Sequence, residues 1–177
     1  HDRGETWRAW DVLAMQYIHT PVLRGEVLKI LDPRSGEIHI DATVNGGGHA
    51  REIAERVGPK GKVIGLDWDC ALIEKLRIRN QELGIKNIEL VCENFANIET
   101  VAKGLGLKNI DGILFDLGFS SYHLEKSGRG FSFLRDEPLD MRYNTTHELT
   151  AEKIINSWPQ DAIANLFREY GEERYAG

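Results

Sequence analysis

Two short apolar segments that flank a glycine-rich turn and a helix constrain the fold of this chain more than any other feature. The first segment, Ile38–Asp41, leads into residues 45–49, which read NGGGH. The second segment, Lys62–Leu66, follows the helix and is closed by Asp67. A strand, a glycine-rich turn, a helix and a second strand that ends on an acid are typical of a nucleoside-binding half of a parallel sheet.

The glycine-rich turn discriminates among nucleoside ligands. A dinucleotide fingerprint has a third glycine that lets its helix pack closely on the strand, but here Arg51 takes that position after Gly46 and Gly48. The lysine-threonine pair of a triphosphate-binding loop does not follow. The turn therefore favours an adenosyl ligand without a pyrophosphate, S-adenosylmethionine; a glycine-rich turn with no ligand is the alternative.

The alternation of apolar segments with helical periodicity predicts an α/β fold with a doubly wound, Rossmann-like parallel sheet. The expected strands are residues 38–41, 62–66, 88–92 and 113–116. Ligands of such sheets bind beyond the carboxyl ends of the strands. The side chains expected at that rim are those of Asp41, Asp67, Asn94, Phe95 and Asp116.

The helices carry apolar stripes that predict their buried faces. The first helix is expected to open at Thr20 and Pro21. Its expected buried stripe is Leu23, Val27, Ile30 and Leu31. A later helix, from about Cys70 to Leu83, is expected to bury Leu72, Ile73 and Leu76.

Composition narrows the class of protein. The 177 residues carry a net charge of −6, which argues against non-specific coating of nucleic acid but allows a local basic contact surface. Neither a membrane span, a signal peptide nor a metal-ligand pattern is found in the sequence. Cys70 and Cys92 are the only cysteines, and we expect two reduced, largely buried thiols in a cytoplasmic protein.

Beyond Asp116 the sequence changes character. Leu117–Arg142 is too long for an idle connection, and its aromatic and aliphatic content predicts an ordered, functional loop. Thr150 is expected to cap the next helix. A last helix is expected to start at Pro159 and to end with Gly171 as its C′ residue.

Six motifs in this order resemble the bacterial small-subunit ribosomal RNA cytosine-N4 methyltransferase family. They are HTPVL at 19–23, DxTxNGGGH at 41–49, DLGxSS at 116–121, RGFSF at 129–133, PLDMR at 138–142 and YGEERYA at 170–176. The resemblance implies an S-adenosylmethionine-dependent enzyme that methylates the N4 amine of a cytosine in the decoding region. It also implies a class I methyltransferase sheet, usually of seven strands, of which four are present here, with a small helical lobe.

The resemblance assigns the cofactor contacts. It places the turn residues at the methionine end, an acid at the ribose, an aromatic ring beside the adenine and a second acid near the donated methyl. A further contact falls on His123, where the family uses glutamine. The implied cofactor-binding residues are Asn45, Gly47, Gly48, His49, Asp67, Phe95, Asp116 and His123.

The resemblance also suggests catalytic and substrate-binding residues. Asp116 or the neighbouring backbone carbonyls would accept the proton that leaves the amine. Asp116 and Phe119 have the acid-x-x-aromatic spacing of DNA amino-methyltransferases, so Phe119 would stack on a splayed-out cytosine, although the RNA enzymes usually carry a smaller apolar residue there. Asp140 and Arg142 would hold the base edge or a backbone phosphate. The expected substrate contacts are Ser120, Arg129, Phe131 and Arg142.

Several of these residues have a structural alternative. His49 can cap the first turn of its helix, Asp67 can be the N-cap of the next helix, and Phe95 can be a core residue. The arginines at 129, 135 and 142 alternate with acids at 136, 137 and 140, so they can instead form a salt-bridged, solvated loop.

The expected domains are an extension at 1–17, a cofactor domain at 18–124 and the start of a helical substrate lobe at 125–177. The family returns from that lobe to finish its sheet, so we expect a C-terminally truncated form. Its fourth strand would be an open edge that can pair with a partner, such as a second copy in a homodimer. The expected partner is small-subunit RNA. The alternatives are a methyltransferase with another substrate and a non-catalytic cofactor- or RNA-binding module.

Overall fold

A computed structural model describes residues 21–176, and within them four parallel strands form one sheet. The strands are β1 (Ile38–Asp41), β2 (Lys62–Asp67), β3 (Ile88–Cys92) and β4 (Gly112–Leu114). Their order across the sheet is β3-β2-β1-β4, so the chain steps outward in one direction and then crosses to the other side of β1. The predicted doubly wound α/β class is confirmed.

The helices connect these strands and continue beyond them. They are α1 (Arg24–Leu31), α2 (Gly48–Val57), α3 (Cys70–Glu82), α4 (Ile98–Gly104), α5 (Ser121–Glu125), α6 (Ala151–Ser157) and α7 (Gln160–Tyr170), with a 3₁₀ turn at Phe95–Asn97. None of the helices within residues 21–176 has the length and apolar character needed to cross a bilayer.

Apolar side chains cover both faces of the sheet because successive strand residues point to opposite sides. On β2, Val63 joins a cluster with residues of α2 and α3, whereas Ile64 and Leu66 join a second cluster against Ile98 of α4. Leu72, Ile73 and Leu76 are buried as predicted. Full burial of one such side chain contributes about 1.5–3 kcal/mol, so these two clusters hold the rim in place.

The register of the sheet sets its carboxyl rim. Asp67 pairs with Cys92 across β2 and β3, and Asp41 pairs with Leu114 across β1 and β4. β4 ends at Leu114, so Asp116 lies in the loop beyond the strand rather than at its last position. β4 is one of the two outer strands of the described sheet, and pairing of a second copy along it stays a prediction.

The first helix differs from its prediction. It begins at Arg24, with Leu23 as a left-handed N-cap, and both Leu23 and Ile30 are exposed. Of the predicted stripe, Leu31 packs against the first cluster as expected, but Leu28 joins it in place of Ile30, because the inward face of the helix is rotated toward Leu28. Thr20 and the expected extension at 1–17 lie outside the described residues.

The prediction of two reduced, buried thiols is wrong. Cys70, at the start of α3, and Cys92, at the end of β3, form a disulfide with their Cα atoms 5.0 Å apart. Cys70 is exposed and Cys92 is half-buried. Their proximity follows from the register, because α3 starts three residues after Asp67, which is itself the partner of Cys92.

The chain divides into two compact units between Ser120 and Ser121, slightly before the predicted boundary at 124/125. In the second unit Thr150 caps α6 as predicted, since its side chain accepts from Lys153 N–H. α7 ends differently. Gly171 is right-handed with φ −96°, and Glu172 (φ 53°) adopts the left-handed conformation that was expected of Gly171.

Candidate functional site

Asp67 is held at the end of β2 by two backbone donors. Asn45 N–H donates to Oδ2 at 3.0 Å and Asp69 N–H donates to Oδ1 at 2.9 Å. The N-cap of α3 is Asp69, whose Oδ1 accepts from two amides of the first turn, so Asp67 is not the N-cap of that helix. The two backbone amides fix the orientation of the Asp67 carboxylate, which suits an acceptor for a diol such as ribose.

The glycine-rich turn folds tightly between β1 and α2. Asn45 and Gly47 have positive φ values of 44° and 77°, and Gly47 N–H donates to Val44 O at 2.7 Å. A Cβ on Gly47 would collide with Leu76, and one on Gly48 would collide with Pro21. The positive φ therefore favours glycine at Gly47, where the Leu76 side chain can shift, and the Pro21 ring requires glycine at Gly48, in addition to any ligand that approaches the turn.

His49 is the second residue of α2 and is 6% exposed. Neither of its ring nitrogens has a hydrogen-bond partner among residues 21–176, so His49 does not cap its helix. Its Nε2 lies 3.9 Å from Oδ2 of Asp116. A buried imidazole without a hydrogen bond is costly in a core, and such groups are typical of functional sites.

Asp41 is a further rim acid, absent from the predicted site residues. Its side chain is buried, and Thr43 N–H donates to its Oδ1 at 3.2 Å. Desolvation raises the pKa of Asp41 from 3.8 to about 7, against the Thr43 hydrogen bond, which lowers it; the negative charges of Asp116 and Asp67 raise it further. The rim thus holds one carboxyl that keeps its proton close to neutral pH.

Asp116 is the second residue of the loop after β4 and is half-exposed. Its backbone N–H donates to Oγ1 of Thr43 at 2.7 Å. Two residues earlier, the carbonyl of Leu114 accepts from Ala42 N–H. Asp116 is therefore anchored to the β1 loop by its backbone, while its carboxylate faces His49. Phe119, three residues on, is 53% exposed, and Ser120 is buried.

Phe95 opens the 3₁₀ turn after β3, and Asn94 caps that turn by accepting from Ala96 N–H. The Phe95 ring meets Phe115 edge-on with centroids 5.8 Å apart, and both rings are nearly half exposed. Phe95 is thus a surface aromatic rather than a core residue. The pair presents an apolar face of the kind on which a planar base can pack.

The predicted site residues of the second unit make contacts within that unit. His123 is 1% exposed, and its ring meets Phe131 at 5.3 Å and Tyr143 at 4.7 Å. Arg129 is buried and donates from Nη1 to the carbonyls of Arg142 and Tyr143. Such burial leaves His123 little surface for a cofactor, so its predicted cofactor contact has no support in the geometry of this unit.

Asp140 and Arg142 form a two-pronged ion pair. Arg142 Nε donates to Oδ1 at 2.7 Å and Nη2 donates to Oδ2 at 2.6 Å, while Nη1 donates to the carbonyls of Thr145 and His147. The hydrogen bonds from Arg142 hold the pKa of Asp140 below its usual value. The salt-bridged loop weighed from the sequence is therefore the arrangement that these two residues adopt.

A sequence model of the MraW methylase family matches residues 16–177. The chain belongs to the MraW methylase family. It is 44% identical over 162 residues to a ribosomal RNA small subunit methyltransferase H of Symbiobacterium thermophilum, covering 92% of this chain and 51% of that relative. A protein of the same name from Dictyoglomus thermophilum is 45% identical over 160 residues, covering 90% and 54%. This member of the MraW methylase family thus spans about half the length of those relatives.

Among solved structures, an rRNA methylase from Streptococcus thermophilus is similar over 58% of this chain and 57% of that one, at 24% identity and a TM-score of 0.45. That likeness is too weak to bear on function. In the described part of the chain, histidine, cysteine and acidic side chains form no group of three or more that could hold a metal ion.

The rim of this MraW methylase family member fits an adenosyl cofactor in its donor set. Asp67 offers an oriented acceptor, the Phe95–Phe115 pair offers an apolar face, and His49 offers ring nitrogens that lack partners within the protein. These groups come from β2, the turn after β3 and the start of α2. The strand ends predicted Asp67 and Phe95 at this rim, and the family resemblance predicted His49 as a cofactor contact.

Sequence reasoning placed Asp41 on the rim, Thr43 in a motif and Phe115 in a strand, but it assigned none of the three to the site. Asp41 and Thr43 stand in the DxTx stretch just before the glycine-rich turn, a position that could have singled them out. Phe115 had no such signal, because its meeting with Phe95 depends on how the chain crosses the sheet after β3.

Proposed function

We propose that this chain binds S-adenosylmethionine at the carboxyl rim of its sheet and forms the catalytic half of a small-subunit rRNA cytosine-N4 methyltransferase. The single observation that carries the proposal is the arrangement of Asp67, His49 and Asp116 around one glycine-rich turn, in a member of the MraW methylase family. The relatives named as ribosomal RNA small subunit methyltransferases support the choice of substrate class.

In this proposal the cofactor lies along the rim. Asp67 accepts hydrogen bonds from the ribose hydroxyls, since its carboxylate is fixed by two backbone amides. Phe95 packs beside the adenine. Gly47, Gly48 and Asn45 form the turn at the methionine end, where His49 donates a hydrogen bond from a ring nitrogen. Bound S-adenosylmethionine supplies an electrophilic methyl group to this site.

The protein contributes positioning and a proton acceptor. The exocyclic amine of cytosine is a weak nucleophile because its lone pair is delocalised into the ring, so holding it in line is the main catalytic task. Asp116 is suited to accept the amine proton, because its carboxylate is partly exposed and its backbone is anchored to Thr43. His49, at 3.9 Å, supports the orientation of that carboxylate.

We assign the predicted substrate residues to two groups, one that touches the RNA base and one that shapes the surrounding loops. Phe119 is exposed close to Asp116 in sequence and can stack on a splayed-out cytosine. Ser120, Arg129, Phe131, Asp140 and Arg142 act by shaping the loops that meet the RNA, since their side chains are buried or engaged within the protein. His123 belongs with this group in the proposal.

Calorimetric titration of the chain with S-adenosylmethionine tests the cofactor site. Wild type should bind saturably, Asp67→Ala should lose at least an order of magnitude in affinity, and Glu55→Ala on the exposed face of α2 should bind like wild type. Absence of binding by a folded wild-type chain would refute the site.

Transfer of a labelled methyl group to isolated small ribosomal subunits tests the reaction. Label in N4-methylcytosine supports the full proposal. Label on another nucleoside or a protein identifies a methyltransferase of different specificity. Saturable cofactor binding without any transfer identifies a non-catalytic cofactor-binding module.

A further inference from the structure

Thr43 occupies the junction between β1 and the glycine-rich turn, and all three of its hydrogen-bonding positions that the structure describes lead to rim residues. Its backbone N–H donates to Asp41 Oδ1 at 3.2 Å, and its carbonyl accepts from Asn45 Nδ2 at 3.0 Å. Its hydroxyl oxygen accepts from the backbone N–H of Asp116 at 2.7 Å. One residue thus contacts the β1 acid, the turn and the loop after β4.

The hydroxyl contact joins two loops that are distant in sequence. Residues 43 and 116 are separated by 73 positions. The preceding link between the same loops is the bond from Ala42 N–H to Leu114 O, which continues the pairing of β1 with β4. The Thr43 hydroxyl therefore extends the ladder by one step beyond the strands, at the point where a side chain must replace the backbone as acceptor.

Leu117 and Gly118, the two residues directly after Asp116, have little packing to hold them. Leu117 is 69% exposed, and Gly118 has a φ of 150° with nothing within 4 Å of the place where its Cβ would stand. The orientation of the Asp116 carboxylate toward His49, at 3.9 Å, thus depends on how its backbone is anchored on the β1 side.

We propose that Thr43 is a positioning residue that anchors the Asp116 loop to the cofactor turn through its hydroxyl group. This inference rests on the proposed function, because Asp116 is the group that it positions. It assigns the Thr43 hydroxyl to the rate of methyl transfer rather than to cofactor affinity, since the Thr43 contacts to Asp41 and Asn45 use only backbone atoms of Thr43.

The test compares Thr43→Val, which keeps the shape and removes the hydroxyl, with Thr43→Ser, which keeps the hydroxyl and removes a methyl group. Thr100→Val, on an exposed position of α4, is the matched control. Thr43→Ala replaces the valine variant if the latter fails to fold, as judged by circular dichroism and thermal unfolding.

Three readouts separate positioning from a structural role. In Thr43→Val we expect amide exchange at Asp116 to accelerate by about 10-fold, as for a lost hydrogen bond of about 1.4 kcal/mol. We expect kcat for methyl transfer to fall by roughly 10- to 100-fold, because small misplacements are costly. Affinity for S-adenosylmethionine should stay within about threefold of wild type, and Thr43→Ser should restore both the exchange and most of kcat.

Three results would overturn the inference: unchanged Asp116 amide exchange in Thr43→Val, equal damage in Thr43→Ser, or a loss of cofactor affinity as large as the loss of kcat. Amide exchange and cofactor titration need no RNA. If wild type transfers no methyl group, the proposed function fails, while accelerated exchange without loss of affinity still supports the anchoring role.

Discussion

His49 and Asp116 of the first unit differ from Arg129 and Arg142 of the second unit in how their polar groups are used. In the first unit, rim groups keep binding capacity: His49 has two ring nitrogens without described partners, and Asp116 is half-exposed beside it. In the second unit, Arg129 donates hydrogen bonds to two backbone carbonyls, and Arg142 donates to Asp140. A polar or charged residue in a motif therefore indicates a binding site only where the fold leaves its side chain without a hydrogen-bond partner or exposed to solvent.

The largest effect should come from Asp116→Asn. The amide keeps the shape of the side chain but cannot accept a proton, so methyl transfer should fall by on the order of 100-fold or more. Cofactor affinity should change by only a few fold, since Asp67 is untouched. Radiolabel transfer and calorimetry measure the two effects, with Glu82→Gln as a control. Turnover within threefold of wild type would show that Asp116 is not the proton acceptor. It would also contradict the view that the exposed carboxylate of the first unit has a catalytic role.

The next effect concerns the pH dependence of stability through Asp41. Its pKa is raised to about 7 in the folded state, so the unfolded chain releases this proton first as pH rises. The free energy of unfolding contributed by this group should therefore fall between about pH 4 and pH 7 and level off above that.

Asp41→Asn should remove that fall and stabilise the protein at pH 7.5 by a few kcal/mol, since each pKa unit corresponds to about 1.4 kcal/mol. Urea unfolding of both proteins from pH 4 to pH 8 measures the difference. A difference that does not vary with pH would show that the Asp41 proton is not retained.

A third effect tests the disulfide at the rim. The bond between Cys70 and Cys92 closes a loop with a sequence separation of 22, and its reduction should cost about 3 kcal/mol by the chain-entropy model. Thermal unfolding with and without a reductant measures the change. The matched variant carries both Cys70→Ser and Cys92→Ser, and its thermal unfolding should be insensitive to reductant. If the variant and wild type respond equally to reductant, the destabilisation does not come from the loss of this disulfide.

The smallest predicted effect tests whether Arg129 has a structural role in the second unit. Arg129→Met should destabilise that unit by about 2 kcal/mol, because two carbonyls lose a charged donor. Its cofactor affinity should equal that of wild type. Hydrogen exchange resolved along the chain locates the loss, with exposed Arg135→Met as the control. An Arg129→Met protein of unchanged stability and weaker, less salt-dependent RNA binding would instead make Arg129 an RNA contact.

Local patterns were sufficient for much of the fold. The apolar runs predicted β1, β2 and β3, the stripe of α3 predicted Leu72, Ile73 and Leu76, and Thr150 predicted the start of α6. These features depend on residues close in sequence, whose preferences act wherever the segment lies. In α1, two faces of the helix are similarly apolar. The pattern alone therefore predicted burial of Ile30, whereas Leu28 is the residue that packs inward.

The sequence by itself determined the class of the sheet, the turn at 45–49 and the placement of Asp67 at the end of β2, because these follow from periodicity and from residues with special backbone freedom. The tertiary structure alone decided the pairing of Cys70 with Cys92, the contact of Phe95 with Phe115, the burial of Asp41 and the hydroxyl link from Thr43 to Asp116. Each of these depends on strand order and register, which bring together residues that are far apart along the chain and fix their distance and solvation.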